Sequence, residues 1–70
     1  MQPDEVKAIR RKLGLTQNDL ADILRLGIDG ARVVRHWEMG TRNPSGPVRV
    51  LLKLFDQCPK ALEIAQKSQD

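Results

Sequence analysis

Seventy residues make one small domain, near the lower limit for a chain that folds on its own hydrophobic core. The single cysteine, Cys58, excludes an intrachain disulfide, and no Cys/His cluster is present to hold a structural zinc. The balance of 12 Lys plus Arg against 9 Asp plus Glu, net +3, is moderate, so where the charge sits matters more than its total.

Aromatics are scarce (Trp37 and Phe55), while Leu, Ile, Val and Ala recur at helical spacing, so the chain reads as all-α. The N-terminus, MQPDEVKAIRRK, has no apolar leader core, and no apolar run approaches membrane length; a soluble, cytoplasmic chain with no membrane partner is expected. A first helix is predicted to begin at Pro3–Asp4, because Pro is tolerated at a helix start and Asp4 and Glu5 suit the positive end of the dipole. Val6, Ile9 and Leu13 give it one apolar stripe, and Gly14 stops it. The run LTQNDLADIL then carries two start signals. Thr16 is an N-cap with Asp19 at N3, and Leu15 faces Leu20 as a hydrophobic staple. Leu20, Ala21 and Leu24 form the buried stripe of this second helix, with Ile23 beside it, and the helix fades around Leu24–Leu26 before Gly27.

The same grammar repeats at once. With Ile28 as N′ residue, Asp29 as N-cap and Val33 at N4, a third helix is predicted over 30–39, ended by Gly40. TRNPSGP is a turn from which Ser45 caps a fourth helix, with Pro47 in its first turn and Val48, Leu51, Leu52 and Phe55 on its inner face. Pro59 starts a short fifth helix carrying Ala61, Leu62, Ile64 and Ala65, and residues 68–70 are expected to fray. The expected architecture is a compact four- to five-helix bundle. Residues 1–57 form its main unit; residues 58–70, a short helix and tail, belong to the same domain or serve as an interaction segment.

Charge is unevenly placed. Residues 1–53 carry ten bases and six acids, whereas residues 54–70 carry two bases and three acids. The most basic stretch, IDGARVVRHWEMGTRNPSG, also holds the only Trp and the only His. On a helical wheel, Gly30, Val33, Val34 and Trp37 fall on one side of the third helix, and Arg32, Arg35, His36 and Met39 on the other. Trp37 is therefore expected to anchor the helix while the bases face out together. Any amphipathic surface helix has such an outer face, so the neighbourhood decides. Two short helices with consecutive capping signals and a Gly-containing turn between them make a helix-turn-helix. In that motif the second helix enters the major groove with the N-terminal part of its outer face towards base edges, where an Arg can bond guanine in bidentate fashion.

The ordered set Leu13 to Gln17, Leu20–Ala21, Val34 to Trp37–Glu38, Gly40, Arg42 and Pro44–Ser45 strongly resembles the lambda repressor/Cro-like helix-turn-helix regulators, the Xre family, over about residues 5–56. The resemblance implies a lambda repressor-like fold and duplex DNA as partner. It implies that Gln17 sits at the DNA backbone with Thr16 capping its helix, and that Arg32, Arg35 and His36 are the readers. Gly30 and Ala31 would allow close approach, and Arg42 and Asn43 would hold phosphate. Glu38 is expected to pair with a neighbouring base or to serve as a cap rather than to touch DNA. The segment from Ala21 to Trp37 is longer than the family's usual pattern, so the register of base contacts does not transfer from standard members. A loop bulging around Gly27 and Gly30, with outward backbone N–H groups suited to a phosphate, is the expected form of that extra length.

No cofactor or metal is expected. His36 has no nucleophile or carboxylate constellation around it, and Cys58 next to Pro59 reads as a cap or a half-buried hydrophobe, so the chain is not expected to be an enzyme. Val50, Leu54, Leu62 and Ile64 either complete the core or form an apolar patch that pairs with a second copy. The leading expectation is a sequence-specific transcriptional regulator, most simply a dimeric repressor. The alternative is an antitoxin-like interaction module that holds a protein partner through its C-terminal segment.

Overall fold

Local signals bound the five helices of the computed structural model, which describes residues 1–67: α1 (Pro3–Lys12), α2 (Gln17–Ile23), α3 (Gly30–Met39), α4 (Gly46–Gln57) and α5 (Pro59–Lys67). The expected fraying at 68–70 lies outside the described residues. At the start of α2 the reciprocal cap forms as the sequence predicts. Asp19 N–H donates to Thr16 Oγ1 (3.0 Å) and Thr16 N–H donates to the Asp19 carboxylate (2.9 Å). Leu15, ahead of that cap, is buried with Leu20. Helix α3 ends at Gly40 in the left-handed conformation (φ 82°). The radius of gyration, 11.0 Å, is that of a close-packed chain of this length.

The core draws on all five helices: Val6, Ile9, Leu20, Ala21, Ile23, Val34, Trp37, Leu52, Phe55 and Leu62, with Leu15 from the α1–α2 turn. Helices α2 and α3 share the most extensive packing, α1 lies against α3 and α4, and α5 covers α4. The predicted stripes loosen at their edges: Ile23 is buried while Leu24, like Leu13 and Val48, is only half-buried, and Leu51 on α4 is 38% exposed. Of the four residues that either complete the core or form a pairing patch, Leu62 completes the core and so is not part of such a patch, whereas Val50, Leu54 and Ile64 are exposed. Cys58 acts as a cap through its backbone, its N–H donating to Leu54 C=O (2.8 Å) and its C=O accepting from Ala61 N–H (2.9 Å), while the residue is exposed rather than half-buried.

The start of α3 differs most from expectation. Asp29 occupies the N-cap position without a side-chain capping bond, and Ile28, expected as the staple residue, is fully exposed. What holds this end is α2 instead. Gly30 is buried, and a Cβ built on it would lie 2.7 Å from Ala21 Cβ and 2.9 Å from Leu26 Cβ, so the two helices meet backbone to side chain with no room between them. The turn that brings them together bulges at Arg25 (φ 54°) and Gly27 (φ 87°), both left-handed. Leu26 N–H donates to Ala21 C=O (3.0 Å) and Gly30 N–H donates to Gly27 C=O (3.1 Å). Gly30 thus belongs to the helix crossing, and its N–H is spent inside the turn rather than turned outward for a phosphate.

Replacing a helical Gly by Ala ordinarily stabilises by about 0.5–1 kcal/mol. Gly30→Ala is expected to do the opposite, lowering stability by about 1–3 kcal/mol as the added methyl pries α3 from α2. The urea midpoint measures it, and a variant as stable as the parent would show that the crossing relaxes freely.

Candidate nucleic-acid interface

Helix α3 sorts its side chains by face. Val34 and Trp37 are buried, Ala31 and Val33 half-buried, and Arg32, Arg35 and Met39 exposed. His36, predicted to face out with the arginines, is half-buried. Its Nδ1 lies 2.7 Å from Thr41 Oγ1, and the same hydroxyl donates to His36 C=O at 3.3 Å. Nδ1 is thus engaged with Thr41 whichever of the two atoms carries the proton, which leaves Nε2 as the imidazole atom able to meet a ligand. The chain reverses here because Thr41 N–H and Arg42 N–H both reach His36 C=O (3.1 and 3.3 Å). Pro44, buried, pins the far end of the turn, and Asn43 and Arg42 stay exposed.

This reversal brings Arg42 back onto α3. Asp29, Arg32, Val33, His36 and Arg42 line one open cleft of about 240 Å³. Three of the predicted contact residues, Arg32, His36 and Arg42, thus share a single concavity, while Arg35 is not among its lining residues. Asp29, at the N-cap position of α3, adds a carboxylate to that rim.

Glu38, the one acid within α3, is removed from the surface charge. Glu38, 6% exposed at its side chain, receives Arg10 Nε at 2.7 Å and Nη2 at 3.1 Å, and Gln17 Nε2 at 3.4 Å. Arg10 Nη1 also donates to Leu15 C=O at 2.9 Å. Burial alone would push the Glu38 carboxyl up; the bonds from Arg10 and Gln17, with the nearby Arg10 and Lys7 charges, outweigh it and hold the group below the usual glutamate value. Gln17 is consequently half-buried and turned to Glu38, and Thr16 is engaged in the α2 cap. The expected pairing of Glu38 with a base is what the fold contains, and Arg10 is the partner that sequence spacing did not reveal.

Other ion pairs take up bases outside this region: Lys12 with Asp56, Lys53 with Glu5 and Lys67 with Glu63. Among the described residues, Arg32, Arg35, Arg42 and Arg49 make no ion pair. Arg49 was not predicted as a contact residue; it lines a shallow groove with Met1, Glu5, Gly46, Val50 and Lys53. Its signal in the sequence was its place in the first turn of α4. Among the described residues, no helix is long and apolar enough to cross a membrane, and no three His, Cys, Asp or Glu side chains come together as metal ligands. Comparisons with protein-family models, curated proteins and solved structures give no match.

The Arg10–Glu38 pair makes stability pH-dependent in a definite direction. The folded-state value of Glu38 is depressed, so its contribution is complete above the ordinary glutamate value, about pH 4.5, and is lost as pH falls through the folded value. Asp19 titrates in the same sense, held low by the bonds from the Thr16 backbone and hydroxyl. Arg10→Met, which leaves a part-buried carboxylate with Gln17 as its remaining side-chain partner, is expected to cost about 1–3 kcal/mol at neutral pH. Glu38→Gln should flatten the acid side of a melting-temperature profile below about pH 4.5, the ordinary glutamate value. A profile that keeps its full slope in Glu38→Gln would place the acid sensitivity elsewhere.

Proposed function

We propose that this chain is a sequence-specific duplex-DNA-binding regulator that reads the major groove with α3. One observation carries the reading. Helix α3 spends its buried face on Val34 and Trp37 and presents Arg32 and Arg35 on the other, with Arg42 returned beside Arg32 and Glu38 neutralised from within by Arg10. That leaves three exposed arginines against one carboxylate, Asp29, across the outer surface of α3 and its following turn. Such a surface suits a polyanion, and a rigid helix carrying it suits a groove rather than a flexible strand. The Xre-like order of residues from Leu13 to Ser45 supports the same role, with α2 and α3 as the helix-turn-helix.

Within this reading the residues divide by task. Arg35, exposed and outside the shared cleft, is the candidate for bidentate reading of a guanine edge. Arg32, His36 Nε2 and Arg42, gathered around one cleft, suit a phosphate or an adjacent base edge, and Asn43 extends that contact. Ala31 leaves the start of the helix slim. Gln17 and Thr16 act through position: the first braces Glu38, the second starts α2. The simplest regulatory act is repression by occluding a promoter, in the cytoplasm. Val50, Leu54 and Ile64 supply the surface through which two copies would pair on half-sites about 34–36 Å apart.

Selection from a random duplex pool at near-physiological salt tests the proposal. An enriched motif supports it, an inverted repeat adds the dimer, and no enrichment by a folded protein rejects it. Once a site is known, Arg35→Ala is expected to cost about 1–3 kcal/mol and to relax preference at one base pair. Arg42→Ala should weaken all sequences alike and reduce the salt slope by about 1. If both variants weaken every sequence equally, the face has no reader and binding is by charge alone.

A further inference from the structure

Ile28 is 104% exposed, and nothing in the fold uses its side chain. The residues around it are held. Leu24 and Leu26 pack against the core, Gly30 is wedged on Ala21, and Gly30 N–H closes back onto Gly27 C=O at 3.1 Å. Left-handed Arg25 and Gly27 complete a tight reversal around it. A lone exposed aliphatic is ordinary on a protein surface. This one differs in its place: it stands immediately ahead of α3, on a pinned turn, at the end of the helix from which Arg32 and Arg35 project without ion pairs.

The geometry points to Ile28 as a reader of the thymine C5-methyl group, a role that rests on the DNA reading above. A helix that enters the major groove by its N-terminal part carries the residues just ahead of it to the base edges. Those edges present hydrogen-bond donors, acceptors and one apolar group, the methyl of thymine. An isoleucine brings no polar atom, so thymine is its single complement there. Arg32 and Arg42 suit the phosphate backbone and position the protein; the aliphatic side chain adds nothing to that attraction and acts on sequence alone. Covering one methyl group is worth about fourfold in affinity.

The test uses the full chain and its selected DNA site. Each thymine is replaced in turn by deoxyuridine, which deletes only the methyl group, and the Kd is measured for the parent and for Ile28→Ala. The variant should keep its circular dichroism and melting temperature, since the side chain touches no other. The parent is expected to lose about fourfold at one thymine per bound half-site. Ile28→Ala should bind the thymine site weaker by a similar factor and be indifferent to deoxyuridine at that position. Three results overturn the inference while leaving DNA reading intact: a preferred site without thymine, a parent indifferent to every replacement, or a variant that loses as much as the parent. Absence of any preferred site overturns both.

Discussion

The ion pair between Arg10 and Glu38 is the contact on which the rest of the arrangement leans. It joins α1 to α3, and the same guanidinium bonds Leu15 C=O while the same carboxylate takes Gln17, so the α1–α2 turn and the first residue of α2 are tied to it as well. In a domain this small, with no disulfide, such a junction orients elements that a limited apolar core alone would leave free to slide. A buried ion pair is weak evidence for stability in itself, because both charges were taken from water. Its consequence is directional: it leaves α3 with one face turned inward and one outward.

The pair also decides the electrostatics of that outer face. Glu38 exposed would oppose the arginines of α3; Glu38 buried on Arg10 does not. One interaction therefore serves packing and polarity together, and among the described residues Arg32, Arg35 and Arg42 are left exposed on the outer side of α3 and its following turn without an ion pair. The close approach of Gly30 to Ala21 completes the device. It draws the first residues of α3 onto α2 and forces the intervening residues into a protruding turn, which is why Ile28 stands clear of the core.

Much of the secondary structure was legible in the chain because its determinants are local. Thr16 with Asp19, Gly40 in the left-handed conformation and Pro59 after Cys58 act within a few residues of themselves, so their effect does not wait on the fold. The wheel of α3 was legible for the same reason: helical periodicity alone separates Val34 and Trp37 from Arg32 and Arg35. Periodicity reads less well at the edges of a stripe. Ile23 and Leu24 are adjacent, and which of them is buried depends on where the neighbouring helix lies, as does the outward turn of Leu51.

What the sequence by itself determined, then, is an all-α chain with its helix limits and a basic, Trp-anchored third helix, since these follow from caps, breakers and a 3.6-residue period. Only the tertiary structure decided which role each singled-out residue plays. Arg10 finds Glu38 across 28 positions, Gly30 is consumed by a helix crossing, Leu62 enters the core, and Arg42 returns to share a cleft with Arg32 and His36. Each of these is a contact between residues that no local rule brings together, and the physical reason is packing: a side chain's partner is set by where whole helices settle, not by its neighbours along the chain.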